Sequence, residues 1–447
     1  MAEVTVDDLV EAVAAGSLGY FWVLHDGDPP VDASQTPERH GFVQRRDGLM
    51  RVHLLVDDAA SLDRRDQARS PVALLGVTEH TSVLILNLIS HGGTRTYGGP
   101  RASTEHFEAR TLVASPELIR MAGIHPNAVS MRLYSHDVVN WAGYDPLSHE
   151  VEVDQDNLVR SVRLGLGPSD PDVTTLRRGG RQLSVGADWG GALHDRGRLL
   201  EVALEITASS LRPRPTYELI TMLGRIQELL SSIFTGFVPA GSGRAQLPGS
   251  SKRAQLWNSE LMPTNPPSGV PQLNKPPWPL VEFDDIGGVA GLARWIDLCE
   301  THPRVVAPIT SRWRSGLGSA QLQLLECAIA LEYWTAAHRR QTRWSKRGDN
   351  FAAAVALHVG SGFEQLVGDI ELWAQRFWQL YNNLKHDPTH VLSNKGTAIL
   401  AESGYILLLS ALLDRISGSK APSRRLCGSN RLSQLRDALQ DEAPRSV

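Results

Sequence analysis

The sequence predicts an α+β protein, with a β-rich N-terminal half of sandwich-like antiparallel sheets and a closing helix, followed by an all-α helical bundle. Three observations carry this. Up to about residue 210 the chain runs in short β-branched stretches, many alternating, punctuated by Gly, Pro, Asp and Ser. Beyond about residue 284 the apolar residues recur at helical spacing. Between the two, Pro239 to Pro279 holds nine prolines among Gly, Ser and Asn.

The expected strands are Tyr20–Leu24, Met50–Val56, Val72–Val77, Thr81–Leu88, His106–Val113, Val129–Tyr134, Val159–Leu164 and Leu199–Ile206. A helix follows, with Leu219, Met222, Leu223, Ile226, Leu229, Leu230 and Ile233 on one face and a stop at Gly236. It is expected to pack on the sheet and close the first domain, residues 1–238. The proline-rich stretch, residues 239–283, reads as a linker that sustains neither helix nor sheet, although Trp257 and Trp278 give it docking groups. The helical domain then covers 284–447. Its long helices are expected over Gln321–Arg343, with Leu322, Leu325, Ile329 and Ala336 in register, over Phe363–His386 and over Ala398–Ile416. Leu292–Cys299 and Phe351–His358 are shorter pieces.

Composition excludes several classes. Apolar content of 42%, charged content of 21% and a net charge of −4 describe an ordinary globular chain with no overall attraction to nucleic acid, so RNA contact needs a local basic patch. Cys299, Cys327 and Cys427 are widely spaced and odd in number, which makes neither a disulfide framework nor a metal knuckle. The acidic N-terminus lacks the basic start of a signal peptide, and the longest apolar run, Tyr405 to Leu413, is too short to cross a bilayer. A cytoplasmic protein with no membrane partner is expected. Nucleophile-elbow, P-loop and zincin motifs do not occur. His386 and His390 have a metal-like spacing, but Pro388 breaks the helix it requires.

One segment carries chemistry: Arg376-Phe-Trp-Gln-Leu-Tyr381-Asn382-Asn383-Leu-Lys385-His386-Asp-Pro388. Asn382 and His386 stand at i and i+4 and project from one side of a helix. The residue before Pro388 avoids the helical region, so the helix ends near His386. A helix C-terminus stabilises positive charge, which suits a His that meets a phosphate or a leaving group. The plainer reading is a His that caps the last carbonyls. Glu332 interrupts an apolar stripe of the preceding helix, where a buried carboxylate needs a partner. It reads as an internal ion pair or as a contact supporting His386. The basic run His338-Arg339-Arg340, Arg343 and Lys346-Arg347 reads as a solvated helix end or as a phosphate-binding patch.

The ending of this segment resembles the Arg-Asn-x-x-x-His signature of HEPN-domain ribonucleases, and the helical half is similar to the HEPN domain of ApeA-type proteins. Asn382 and His386 match in type and spacing, and Leu324-Glu326-Ala328-Leu331-Glu332 resembles that family's first long helix. Gly19-Tyr20-Phe21-Trp22, Val72–Val77 leading into Thr81–Leu88, Ser130–Tyr134, Val139-Asn140-Trp141 and Leu211-Arg212-Pro213 resemble the family's N-terminal domain in order. The resemblance implies an anti-phage, abortive-infection effector that cleaves RNA without metal or other cofactor, with a β-rich sensor for a phage-derived trigger and a homodimeric cleft. It assigns His386 as acid/base and Asn382 as its orienting partner. The family's phosphate-clamping Arg is replaced by Tyr381, leaving Arg376, Lys385, Tyr381, Arg340 and Arg343 as candidate phosphate donors and Glu332 as a supporting group. Arg376 lies roughly 15 Å of helix rise from His386. The alternative is a HEPN module that no longer cuts and acts in RNA binding or dimerisation.

Overall fold

The computed structural model describes residues 9–25, 37, 39–57, 71–95, 102–118, 127–144, 147–166, 171–194, 197–275, 277–338, 350–386 and 394–441. The N-terminal part is β-rich and the C-terminal part helical, as expected. The strands are β1 (Ser17–Leu24), β2 (Arg39–Arg46), β3 (Leu49–Asp57), β4 (Ala73–Thr78), β5 (Ser82–Arg95), β6 (Ala102–Ala114), β7 (Asn127–Ser135), β8 (Leu147–Val153), β9 (Val159–Leu166), β10 (Asp172–Thr175), β11 (Arg181–His194), β12 (Gly197–Pro215), β13 (Ser242–Gln246) and β14 (Ala254–Asn258). Among the described residues twelve of them form one sheet in the order β10-β11-β12-β7-β13-β14-β6-β3-β2-β1-β4-β5, while β8 and β9 make a separate hairpin.

An added pairing between β5 and β6 closes β1 to β6 into an antiparallel barrel. Closure removes the open edges that β-strands otherwise expose. Alternation sends Phe21, Val43, Val52, Leu54, Leu74, Val83 and Ile85 inward to a core of their own. The ring of Phe21 fills the space left by three glycines; a methyl on Gly76 would fall 2.5 Å from Phe21 Cε1. Helix α1 (Leu9–Ala14) joins this core through Leu9, Val10 and Val13. The outer face of the same strands, through Trp22, Leu24, Leu75, Leu84 and Leu86, joins a second and larger core.

That larger core centres on helix α2 (Thr216–Phe234), the helix expected at 219–233. It lies between β7 and β12 of the sheet and the first C-terminal helices, and nearly every residue from Leu219 to Phe234 is buried. A left-handed Thr235 (φ 52°) ends it, one residue before the expected glycine stop. Sheet and helices thus share one continuous apolar core.

The stretch 239–283, expected to form neither helix nor sheet, contributes β13 and β14 to the middle of the sheet, where β13 pairs with β7 and β14 with β6. Both strands fall in proline-free windows, 242–246 and 254–258. Neighbouring strands on both sides satisfy backbone groups that so short a segment could not pair alone. Trp257 is buried and Trp278 is 67% exposed.

The helices are α3 (Gly288–Thr301), α4 (Pro303–Ser315), α5 (Ala320–Ala337), α6 (Phe351–Val359), α7 (Ser361–Val367), α8 (Ile370–His386), α9 (Asn394–Ser417), α10 (Ala421–Gly428) and α11 (Ser433–Asp441). Two expectations change. The helix expected over Phe363–His386 is divided: Gly368 adopts φ 78°, and the Asp369 side chain accepts from Leu372 N to start α8. Its apolar face survives the break, since Phe363, Leu366, Ile370, Ala374, Phe377 and Tyr381 are all buried. In α5 the buried face is not the one read from sequence. Leu324, Cys327, Ala328, Leu331 and Trp334 point inward, while Leu322 and Ile329 are about half exposed. The helix is apolar almost all round, so periodicity alone does not orient it.

Helix α9 is long and apolar enough to cross a bilayer by length and composition, yet 78% of its apolar window is buried inside the protein. Its Gly404 sits against Phe377 of α8 and Cys327 of α5. Buried indoles are satisfied: Trp141 Nε1 donates to Val281 O (2.9 Å), Trp295 Nε1 to Arg225 O (2.8 Å), Trp313 Nε1 to Ser232 Oγ (2.7 Å) and Trp373 Nε1 to Ser403 Oγ (2.9 Å). A bidentate pair from Arg181 of β11 to Glu300 of α3 (2.6 and 2.8 Å) ties the sheet to the helices.

Candidate functional site

Helix α8 is amphipathic, and its sides explain where each candidate residue lies. Ile370, Trp373, Ala374, Phe377 and Tyr381 face the core. Gln375, Gln379, Asn382 and His386 are exposed and follow one another at helical spacing, so they form a polar stripe that ends with the helix. Asn382 and His386 are therefore brought together on one accessible side. Lys385 is exposed beside them, and its Nζ lies 5.5 Å from the ring centroid of Tyr381.

Tyr381 itself is 4% exposed, with its ring 4.9 Å from that of Trp378, which in turn packs edge-on against Phe351 of α6. The position aligned with the family's Arg thus belongs to the packed side of the helix rather than to the stripe. Arg376 is half-buried and lies ten residues before His386. Glu332, expected to interrupt a buried stripe, is exposed on α5, because the true buried face runs through Leu331 and Trp334 instead. Arg340 and Arg343 lie outside the described residues, as do Arg339, Lys346 and Arg347. His338, the first member of that basic run, is 8% exposed; its Nδ1 donates to Trp334 O (2.8 Å) and its ring lies 4.2 Å from that of Trp334. It closes the end of α5 rather than extending a cationic surface.

A second polar site in the helical half was not singled out from the sequence. Arg312 of α4 pairs with Glu402 of α9 (3.0 Å), and its guanidinium lies 4.5 Å over the ring of Tyr405. Burial would lower the charge of Arg312, but the Glu402 carboxylate and the Tyr405 oxygen hold it firmly protonated. The group borders a cavity of about 270 Å³ under the Gly316–Gly318 loop, lined also by Gln323 and Glu326. Burial alone pushes the Glu326 carboxyl up. The sequence signal was weak because the residues come from three helices, one of which, α4, starts at Pro303 and contains Pro308.

Cys299, Cys327 and Cys427 are buried free thiols; burial pushes all three up, Cys427 to about 12. Among the described residues no group of three His, Cys, Asp or Glu side chains is placed to hold a metal ion. Comparison with protein-family models, with curated proteins and with solved structures finds no match to this chain.

Proposed function

We propose that this chain is a cytoplasmic, homodimeric anti-phage effector of the ApeA type, in which the helical half cleaves RNA and the β-rich half senses the infection. The observation that supports this is the exposed polar stripe of α8 that ends in Asn382 and His386. In this reading the RNA's 2′-OH attacks the adjacent phosphorus and the 5′-oxygen leaves, forming a cyclic phosphate. His386 moves the protons, and Asn382 orients the ring or the phosphate. Lys385 and the basic residues Arg340 and Arg343 supply positive charge in place of a clamp at 381, and the second protomer brings a second stripe to the cleft.

A second reading has its own support. The burial of Tyr381 removes that position from the stripe, so position 381 itself offers no cation to the Asn/His pair. A HEPN module that binds RNA or dimerises without cutting needs no such group. Incubation of purified protein with total RNA, in buffer containing a chelator, separates the two. Cleavage with cyclic-phosphate ends is expected from the wild type, and His386→Ala should lose about 10²-fold or more of the rate. Equal background from both proteins would falsify the ribonuclease reading; retained RNA binding would then favour the second.

A further inference from the structure

Among the described residues, strands β8 and β9 stand apart from the twelve-stranded sheet and pair only with each other. The turn between them is tightly made. Asp154 N donates to Leu158 O (2.9 Å), the Asp154 carboxylate accepts from Asp156 N and Leu158 N (both 2.9 Å), and Asn157 takes φ 59°. Alternation gives the hairpin two unlike faces. Val151 and Val153 lie on one, with Val159 paired to Val153. Glu150 and Glu152 lie on the other, where Ser161 Oγ donates to Glu152 Oε2 (2.8 Å). Neither face is covered: Val151 is 47%, Val153 55% and Val159 59% exposed, and Glu150 and Glu152 are exposed opposite them.

A hairpin of two strands is marginal in water, and a third strand is the usual support. The outer edge of β8 meanwhile presents a row of backbone donors and acceptors with no strand beside it. Sheet edges are ordinarily blunted by Lys, Pro or a bulge. β8 reads Leu-Ser-His-Glu-Val-Glu-Val, without Lys or Pro, and its one irregularity lies at the turn, between Glu152 and Val153. Charge decides what fits this edge. Glu150, Glu152 and, in the turn, Asp156 are exposed, while Asp154 is held by the turn and by Arg160 (3.7 Å). Two copies of β8 paired about a two-fold axis would set acid against acid, which is destabilising, or, one residue out of register, valine against glutamate. A second copy is therefore a poor occupant, and a cationic strand is a good one.

We propose that the free edge of β8 takes up an extended segment of a partner protein in which apolar residues alternate with Lys or Arg. Backbone pairing extends the hairpin to three strands. The segment's apolar side chains fall beside Val151 and Val153, and its cationic ones beside Glu150 and Glu152 on the opposite face. The contact gives the β-rich half a kind of partner and rests on the sensor reading for its purpose, but binding is measured without any RNA cleavage.

The full chain is titrated by fluorescence anisotropy with a labelled peptide of alternating lysine and valine, about six residues long. Its controls are a glutamate–valine peptide and a lysine–valine peptide N-methylated on the amides that pair with β8. The lysine peptide is expected to bind about tenfold or more tightly than either control, and to weaken as salt is raised. Glu150→Lys combined with Glu152→Lys should reverse the preference between the two charged peptides. It should leave the melting temperature unchanged, because neither side chain reaches a core. Val151→Ser combined with Val153→Ser should weaken the lysine peptide about tenfold. His386→Ala should bind as wild type does, which keeps this test apart from the ribonuclease reading. The proposal is overturned if the lysine peptide does not bind, if the N-methylated peptide binds as well, or if charge reversal leaves the preference unchanged. A homodimer in sedimentation that the charge-reversed variant loses would also overturn it, by giving the edge to a second copy.

Discussion

In the barrel, the inner faces of six strands converge on Phe21; in the sheet beside it, one face packs on α2 and the other turns away with Asp188, Tyr134 and Arg244 on it. The two regions share β6 and the same alternating strand chemistry. Closure consumes the barrel's interior, which is filled by side chains and has glycines where the Phe21 ring needs room. The open sheet keeps a polar face, and where that face meets the barrel it forms a cavity. A closed sheet therefore supplies rigidity and an open one supplies a recess.

Three measurements probe that contrast. The largest effect is expected from Phe21→Ala, which empties the middle of the barrel core and should destabilise by about 3–5 kcal/mol in denaturant titration. A loss below about 1 kcal/mol would mean that the barrel is not the rigid partner. Gly76→Ala adds volume to the same place and should cost about 1–3 kcal/mol. Because Phe21 is the obstacle, Phe21→Leu combined with Gly76→Ala should recover part of that loss, and strictly additive losses would contradict the packing described.

The smallest effect concerns pH. His53 on the barrel faces His106 across the strands, their Nδ1 atoms 2.6 Å apart, and burial, His106 and Arg51 lower its pKa. His302, in the helical half, is lowered by burial, His338 and Arg415. Each ring takes up a proton more readily in the unfolded chain, near 6.5, than in the folded one. Their contribution to stability is complete above that pH and lost as pH falls through the lowered folded values. Urea midpoints should decline from about pH 7 to about pH 5. His53→Gln should flatten that decline if the barrel is the acid-sensitive region, and His302→Gln should do so if the helical layer is.

All eight strands expected from sequence are present, because alternating β-branched residues announce a half-buried strand whatever its neighbours. β11 escaped notice through its glycines at 186, 190 and 191, which weaken strand propensity but are tolerated between β10 and β12. The division of α7 from α8 was written in Gly368 and Asp369, a helix stop followed by a cap, and was masked by an apolar spacing that runs across both.

The sequence by itself determined that strands precede helices, that residues 219–233 form an apolar helix, and that Asn382 and His386 share one side of a helix near its end. These depend on local periodicity and on spacing within a single element. Tertiary structure decided that six strands close into a barrel, that two short proline-free windows join the sheet, which face of α5 is buried, and that Tyr381 packs inward while Tyr134 is buried with an unpartnered hydroxyl. Those outcomes depend on groups far apart in the chain, whose pairing and burial no local pattern specifies.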